Sequence, residues 1–259
     1  MGARSIASGT ICFGLVNIPI KLYVSAATED VHFNMLTKNG NRVRQQYVEE
    51  GTGDIVDRGE TVKGYEHTKG EYVTFTAEEL KQLEDVDKGA FVIREFVPTS
   101  SIDLLHVEKS YHSAPDKVSG KAYGLLVAAL EQRNVYAVAQ WTNRGKRHLV
   151  VLRPYKGTLV VHQMYYADEV RERAYTGDNV KYNDAELNMA GMLIDSLTVG
   201  AFDASKYEDE YRKRVIAAVE AKVAGSYSAP TTPSENKPNV DDLMNTLKAS
   251  LEAMKTKAA

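Results

Sequence analysis

The chain has 259 residues, 43% of them hydrophobic and 26% charged, with a formal net charge of −3. That supports the core of one large domain or two small ones, and no apolar run approaches the roughly 20 residues that a membrane-spanning helix needs. Met1-Gly2-Ala3-Arg4-Ser5-Ile6 has no signal-peptide core and lacks the hydroxyl residue that myristoylation requires where Ile6 stands. With a single Cys12, excluding an intramolecular disulfide, it reads as a cytoplasmic protein without membrane association, Cys12 serving as a small core residue.

The net charge conceals a strong polarity along the chain. Residues 111–165 hold eight Lys/Arg (Lys117, Lys121, Arg133, Arg144, Lys146, Arg147, Arg153, Lys156) against two acids, a net of +6, and there is no Asp or Glu between Gln132 and Ala167. Residues 71–110 carry a net of −5 and residues 166–225 a net of −4. Such a chain can present a basic surface to a polyanion while staying soluble.

Residues 10–23 are rich in Ile, Val, Leu and Phe and predict strand, with Pro19 demanding an edge, bulge or bend. Residues 31–36 and 42–48 flank Lys38-Asn39-Gly40-Asn41 and predict a hairpin. On the second of these strands Arg42 and Arg44 would share a face, and Arg58 and Lys63 follow in the loop-rich residues 57–64. Residues 71–75 and 90–97 and a stretch within 103–113 predict further strands. So do residues 135–142, 148–152 and 158–165, joined by the turn-like Asn143-Arg144-Gly145 and Tyr155-Lys156-Gly157. Many strands with short turns predict a closed or nearly closed barrel, in which Trp141 is a core residue.

Two helices interrupt it. Thr76-Ala77-Glu78-Glu79 is a capping box opening a short helix to about Leu83. Residues 120–132 place Leu125, Leu126, Ala129 and Leu130 on one face. Beyond residue 180 the period turns helical: Leu187, Ala190, Ile194 and Leu197 recur in residues 184–197. Ser205-Lys206-Tyr207-Glu208 reads as another capping box, opening a helix striped with Tyr207, Tyr211, Val215, Ala218 and Val219. Residues 226–238 form a Pro/Ser/Thr linker. The tail is amphipathic: Asn239 can cap it, and Val240, Leu243, Met244, Leu247, Leu251 and Met254 share a face. That face fits either a fold back onto the domain or a partner's groove.

The familiar phosphate-loop, dinucleotide, nucleophile-elbow and His-Glu-x-x-His motifs are all absent, and the six histidines show no ligand spacing. No catalytic residue, cofactor or metal is therefore expected. The positive signal is for phosphate contact, from Arg42, Arg44, Arg58, Lys63 and Lys69 in the first half of the chain and from Arg144, Lys146 and Arg147 at a hairpin turn.

Several blocks resemble the bacterial Ku family. The first is Ser8-Gly9-Thr10-Ile11-Cys12-Phe13-Gly14-Leu15-Val16-Asn17-Ile18-Pro19-Ile20-Lys21-Leu22-Tyr23. In the family's order follow Val62-Lys63-Gly64-Tyr65-Glu66, Tyr111-His112-Ser113-Ala114-Pro115-Asp116-Lys117, Lys121-Ala122-Tyr123, Leu152-Arg153-Pro154 and Asp168-Glu169-Val170-Arg171. The tail, residues 240–251, resembles the family's ligase-recruiting segment.

The resemblance implies an α+β protein. Residues 1–180 would be a β-barrel core with a strand insertion, at about residues 41–69, forming a DNA-encircling bridge. Residues 181–225 would be a helical dimerisation arm, and a tethered C-terminal helix would follow at residues 239–259. It implies a homodimeric ring that threads onto double-stranded DNA ends in non-homologous end joining. It also implies recruitment of an ATP-dependent DNA ligase (ligase D type) through Leu243, Met244, Leu247 and Leu251, in the cytoplasm at the nucleoid.

Two departures qualify this. Many bacterial relatives carry Cys-x-x-Cys in the insertion, where this chain reads Val48-Glu49-Glu50-Gly51-Thr52-Gly53-Asp54, so no metal is expected there. The last helix holds only Lys248, Lys255 and Lys257, so DNA bridging by a basic tail is not expected. The rival readings are a nucleic-acid adaptor indifferent to ends and an enzyme with an unrecognised site.

Overall fold

The structure is a computed structural model that describes residues 4–86, 89–173, 182–228 and 250. It divides into one unit of Met1–Glu29 with Asn34–Glu172 and a second of Asp30–Phe33 with Arg173–Ala259. In chain order the strands are β1 (Ala7–Phe13), β2 (Val16–Val24), β3 (Tyr47–Val48), β4 (Ile55–Val56), β5 (Lys63–Thr68), β6 (Glu71–Phe75), β7 (Ala90–Pro98), β8 (Val107–Pro115), β9 (Val135–Asn143), β10 (Lys146–Tyr155) and β11 (Thr158–Met164). The helices are α1 (Ala77–Gln82), α2 (Gly120–Arg133), α3 (Asp184–Leu197) and α4 (Glu210–Val223).

Seven strands close a barrel in the order β1-β2-β8-β11-β10-β9-β7. Alternation puts Ile11, Ile20, Leu22, Phe91, Ala139, Trp141, Val150, Leu152, Leu159 and Val161 into one buried cluster, with Trp141 only 2% exposed. Phe91 stacks on Trp141 with ring centroids 5.1 Å apart, and Tyr111 meets Trp141 edge-on at 5.9 Å. Pro19 lies inside β2, opposite Thr10 of β1 and just past Ile20, where pairing with β8 ends. Its carbonyl accepts from the Asp116 amide on the β8 side, so the amide hydrogen that proline lacks has no ladder partner to lose.

α2 joins the same cluster. The Tyr123 hydroxyl donates to the Ser113 carbonyl at 3.0 Å and accepts from the Leu159 amide at 2.7 Å, and burial pushes this phenol up from its ordinary pKa. The buried residues are Tyr123, Leu126, Val127 and Leu130. That i, i+3, i+4, i+7 spacing buries Leu126 and Leu130 of the expected face but leaves Ala129 exposed and turns Leu125 outward to 71% exposure. Cys12 is only half-buried.

Between β2 and β7 the chain leaves the barrel. β3 pairs only with β4, and β5 only with β6. No residue from Asn34 to Phe75 is buried, and only Val56 and Phe75 are half-buried. The expected strands at residues 31–36 and 42–48 reduce to an isolated Leu36–Arg42 bridge and the two-residue β3. The turn forms, with the Gly40 amide bonded to the Thr37 carbonyl at 2.9 Å, but the flanks have no covering layer, and a lone two-stranded ribbon is marginal in water. Arg42 and Arg44 therefore do not alternate along a regular strand.

The Thr76–Glu79 capping box forms as the sequence predicts. The one expected at Ser205 does not. Asp203 accepts from both the amide and the hydroxyl of Ser205 and caps a short 3-10 turn, so the helix starts at Glu210 under an Asp209 cap and leaves Tyr207 outside. Neither α3 nor α4 has a buried residue, although Leu187, Ile194 and Leu197 of α3 share one stripe. No helix among the described residues is long and apolar enough to cross a membrane.

Barrel closure rests on a close approach. A Cβ on Gly9 would lie 2.4 Å from the Gly89 carbonyl oxygen and 2.5 Å from the Phe91 ring. Gly9→Ala is expected to destabilise the protein by about 1–3 kcal/mol, because rigid backbone and a core aromatic must both give way. Urea unfolding measures this, and an unchanged midpoint would show that the β1–β7 contact is not tight.

Candidate nucleic-acid interface

The two hairpin turns that join β9 to β10 and β10 to β11 are two-residue loops, Arg144-Gly145 and Lys156-Gly157. Both residues of each loop have positive φ, 50° and 78° in the first and 49° and 76° in the second, the geometry that matches strand twist. Each turn thus holds a cation at its tip. Arg144 and Lys146 are exposed and form no ion pair among the described residues. Arg147 differs: its guanidinium donates to Asp85 Oδ1 at 2.7 Å. Beside it the Asp85 amide donates to the Gly145 carbonyl at 3.0 Å, and the Gly89 amide to that of Thr142 at 2.8 Å. Arg147 thus secures the chain's return from the excursion onto the β9–β10 hairpin.

The other sequence-predicted cations lie on the excursion. Arg42 donates to the Asn34 side chain. Arg44 follows in irregular chain, and Arg58 begins a 3-10 turn capped by Asp57. Lys63 opens β5, and Lys69 sits in the turn between β5 and β6. All five are exposed, and none forms an ion pair among the described residues. These cations are spread out: Arg42 and Arg44 lie at and just after the Leu36–Arg42 bridge, Lys63 and Lys69 at opposite ends of β5, and Arg144 and Lys146 at the β9–β10 turn. Leu243, Met244, Leu247 and Leu251, expected from the sequence to meet a ligase, lie outside the described residues. No group of His, Cys, Asp and Glu suited to a metal ion occurs among the described residues.

The sequence counts Arg153 among the basic residues of 111–165 without giving it a role, and the fold gives it a partner. From β10 its Nε donates to His162 Nε2 on β11 at 2.9 Å, and His162 Nδ1 lies 2.7 Å from Ser110 Oγ on β8. Arginine only donates, so Nε2 carries the lone pair and the imidazole is neutral with its proton on Nδ1. Burial, and then the charge of Arg153, push the His162 pKa below its ordinary 6.5. The signal available in sequence is the Lys156-Gly157 turn, which sets Arg153 opposite Val160 and hence diagonal to His162.

A closed seven-stranded β-barrel interrupted by an uncovered excursion that bears exposed cations defines the class of barrel protein to which this chain belongs. The comparisons give the class its family. A family profile described as the Ku70/Ku80 beta-barrel domain matches residues 12–189. Three similar relatives are each named "Non-homologous end joining protein Ku". That of Paraburkholderia phymatum is 42% identical over 97% of this chain and 83% of its own length. That of Koribacter versatilis is 37% identical over 98% and 87%, and that of Archaeoglobus fulgidus is 37% identical over 97% and 100%. The chain belongs to the Ku family.

The depressed His162 pKa has a sign. The unfolded chain takes up a proton on this imidazole below about pH 6.5 that the folded chain resists, so this contribution to stability is present above that pH and is lost on acidification. Between about pH 7.5 and about pH 5.5 the wild type is expected to lose more stability than His162→Gln. Equal losses in urea unfolding would remove His162 from the account.

Proposed function

We propose that this chain is a non-catalytic double-strand DNA end-binding protein of non-homologous end joining. In this reading it acts as a homodimeric ring that threads onto DNA ends and recruits an ATP-dependent DNA ligase of the ligase D type. The names of the relatives support the end-joining role. The observation that carries the ring is the excursion between β2 and β7. A segment with no buried residue among those described, whose Arg42, Arg44, Arg58, Lys63 and Lys69 are exposed and form no ion pair there, has little reason to hold its course except around something. Met35, Tyr47, Ile55, Val62, Tyr65 and Tyr72 are exposed along it, giving a second copy apolar surface to meet.

α3 and α4 support the dimer in the same way. Helices of this length are marginal alone, and these leave Leu187, Met192, Ile194, Leu197, Tyr211 and Val219 exposed. A partner subunit covering those stripes supplies what the isolated chain lacks. In a two-fold ring each cation occurs twice around the hole, so a subunit of net charge −3 can still hold a duplex. Phosphate contacts carry no sequence information, which suits a protein that must accept any break. A ring also demands a free end for loading, so its specificity is topological.

Gel shifts on linear and covalently closed duplex of equal length test the ring. Linear duplex is expected to bind and the circle not to, and equal affinity would leave an end-indifferent adaptor. Arg42→Ala or Arg44→Ala removes one phosphate-neutralising cation from each protomer, so either is expected to flatten the salt dependence of log K by about 1.8 per dimer. Arg147→Ala is expected to leave that slope alone, since Asp85 already engages Arg147; an unchanged slope in the Arg42 and Arg44 variants would clear them of contact. Removing residues 240–259 is expected to preserve DNA binding and abolish ligase stimulation, and continued stimulation would refute the role given to Leu243, Met244, Leu247 and Leu251.

A further inference from the structure

The three strands β9, β10 and β11 lie wholly within the stretch from Gln132 to Ala167 that contains no Asp or Glu. Alternation along β10 puts Val150 and Leu152 into the core cluster and Arg153 on the opposite face. Arg153 is half-buried there and forms no ion pair among the described residues. A cation withdrawn from water without a counter-charge is costly unless something compensates it. The partners present are neutral. His162 accepts from Nε, and the Tyr155 ring lies with its centroid 5.0 Å from the guanidinium carbon. Lys156 Nζ approaches the same ring at 5.2 Å.

Only one of the five guanidinium N–H groups is used by this arrangement. His162 and Tyr155 hold the inner edge and one face, leaving the two terminal nitrogens without a protein acceptor among the described residues. A planar, pre-oriented fork of donors matches two oxygens of one phosphate, and fixing its rotamer beforehand lowers the cost of binding. We propose that Arg153 is a phosphate-binding residue for the backbone of duplex DNA, with His162 as the positioning residue that aims it and Lys156 as a second, point-like cation beside it. The inference rests on the reading of this chain as a duplex-binding protein and adds to it a contact on the barrel itself. Ser110 completes the device by accepting the His162 Nδ1 proton, which keeps Nε2 free to receive Arg153.

Salt titration of full-length protein on linear duplex tests it, with Arg153→Gln, Arg153→Lys, His162→Gln and His162→Leu. Arg153→Gln is expected to bind roughly tenfold more weakly and to flatten the log K–log salt slope by about 1.8 for two protomers. Arg153→Lys keeps the charge and loses the fork, so affinity falls while the slope holds; this variant decides the matter if Arg153→Gln does not fold. Among the His162 variants, Gln can still accept from Arg153 and is expected to bind as wild type. Leu cannot, and is expected to lose affinity severalfold at constant slope. Wild-type affinity and slope in both Arg153 variants, with the wild type binding linear duplex, would overturn the proposal and spare the broader reading; a wild type that binds no duplex would overturn both. A loss seen only on 5′-phosphorylated ends, and not on 5′-hydroxyl ends, would overturn the assignment to the backbone in favour of the terminal phosphate.

Discussion

Ile11 pairs with Phe91 in a three-residue parallel ladder between β1 and β7, and every other pairing between neighbouring barrel strands is antiparallel. This short seam closes the barrel, and it lies where the chain returns from its long excursion. Parallel pairing is slightly less stable per residue than antiparallel, so the seam depends on what surrounds it. Gly9 lets the backbones approach, the Thr10 amide donates to the Gly89 carbonyl at 3.0 Å, and Phe91 stacks on Trp141. The Gly89 amide in turn donates to Thr142 on β9, so one glycine joins the seam to the hairpin that carries Arg144 and Lys146. Barrel closure and the footing of the excursion thus share one set of bonds.

The energetics divide along the same line. The barrel buries most of its apolar residues in a continuous cluster that α2 joins. The excursion and the helices α3 and α4 bury nothing completely. Their local devices are sound, with capping boxes at Thr76 and Asn183 and an Asp209 cap. Caps contribute about 0.5–2 kcal/mol each, too little to set an element's course without packing. In the proposed dimer that packing comes from the second subunit, which would make order in these segments dependent on assembly.

Much of this was legible in the sequence because the barrel strands obey a two-residue period and their turns are chemically explicit. Asn143-Arg144-Gly145 and Tyr155-Lys156-Gly157 announced the β9–β10–β11 meander, and Thr76 to Glu79 announced α1. Residues 31–48 misled because their alternation matches a strand while no layer exists to cover it. In α2, Leu125 and Leu126 are equally apolar, and only the barrel's position selects the face through Tyr123 and Leu130. At Ser205 an upstream acid, Asp203, had already engaged the hydroxyl. The ion pair of Arg147 with Asp85 spans 62 residues and has no local signature. The Arg153–His162 bond spans nine, and becomes readable once the intervening turn is placed.

The hairpin tips bear on how this protein can be improved or damaged. Arg144 and Lys156 hold left-handed backbone conformations that asparagine or glycine occupies with much less strain. A side chain of the ordinary kind gives up about 1 kcal/mol at such a position. A sequence optimised for thermal endurance alone would drift toward Asn-Gly at both bends, growing sturdier while losing a positive charge at each end of β10. In the proposed DNA-binding role, keeping cations there trades robustness for grip, and engineering aimed at heat resistance would remove it.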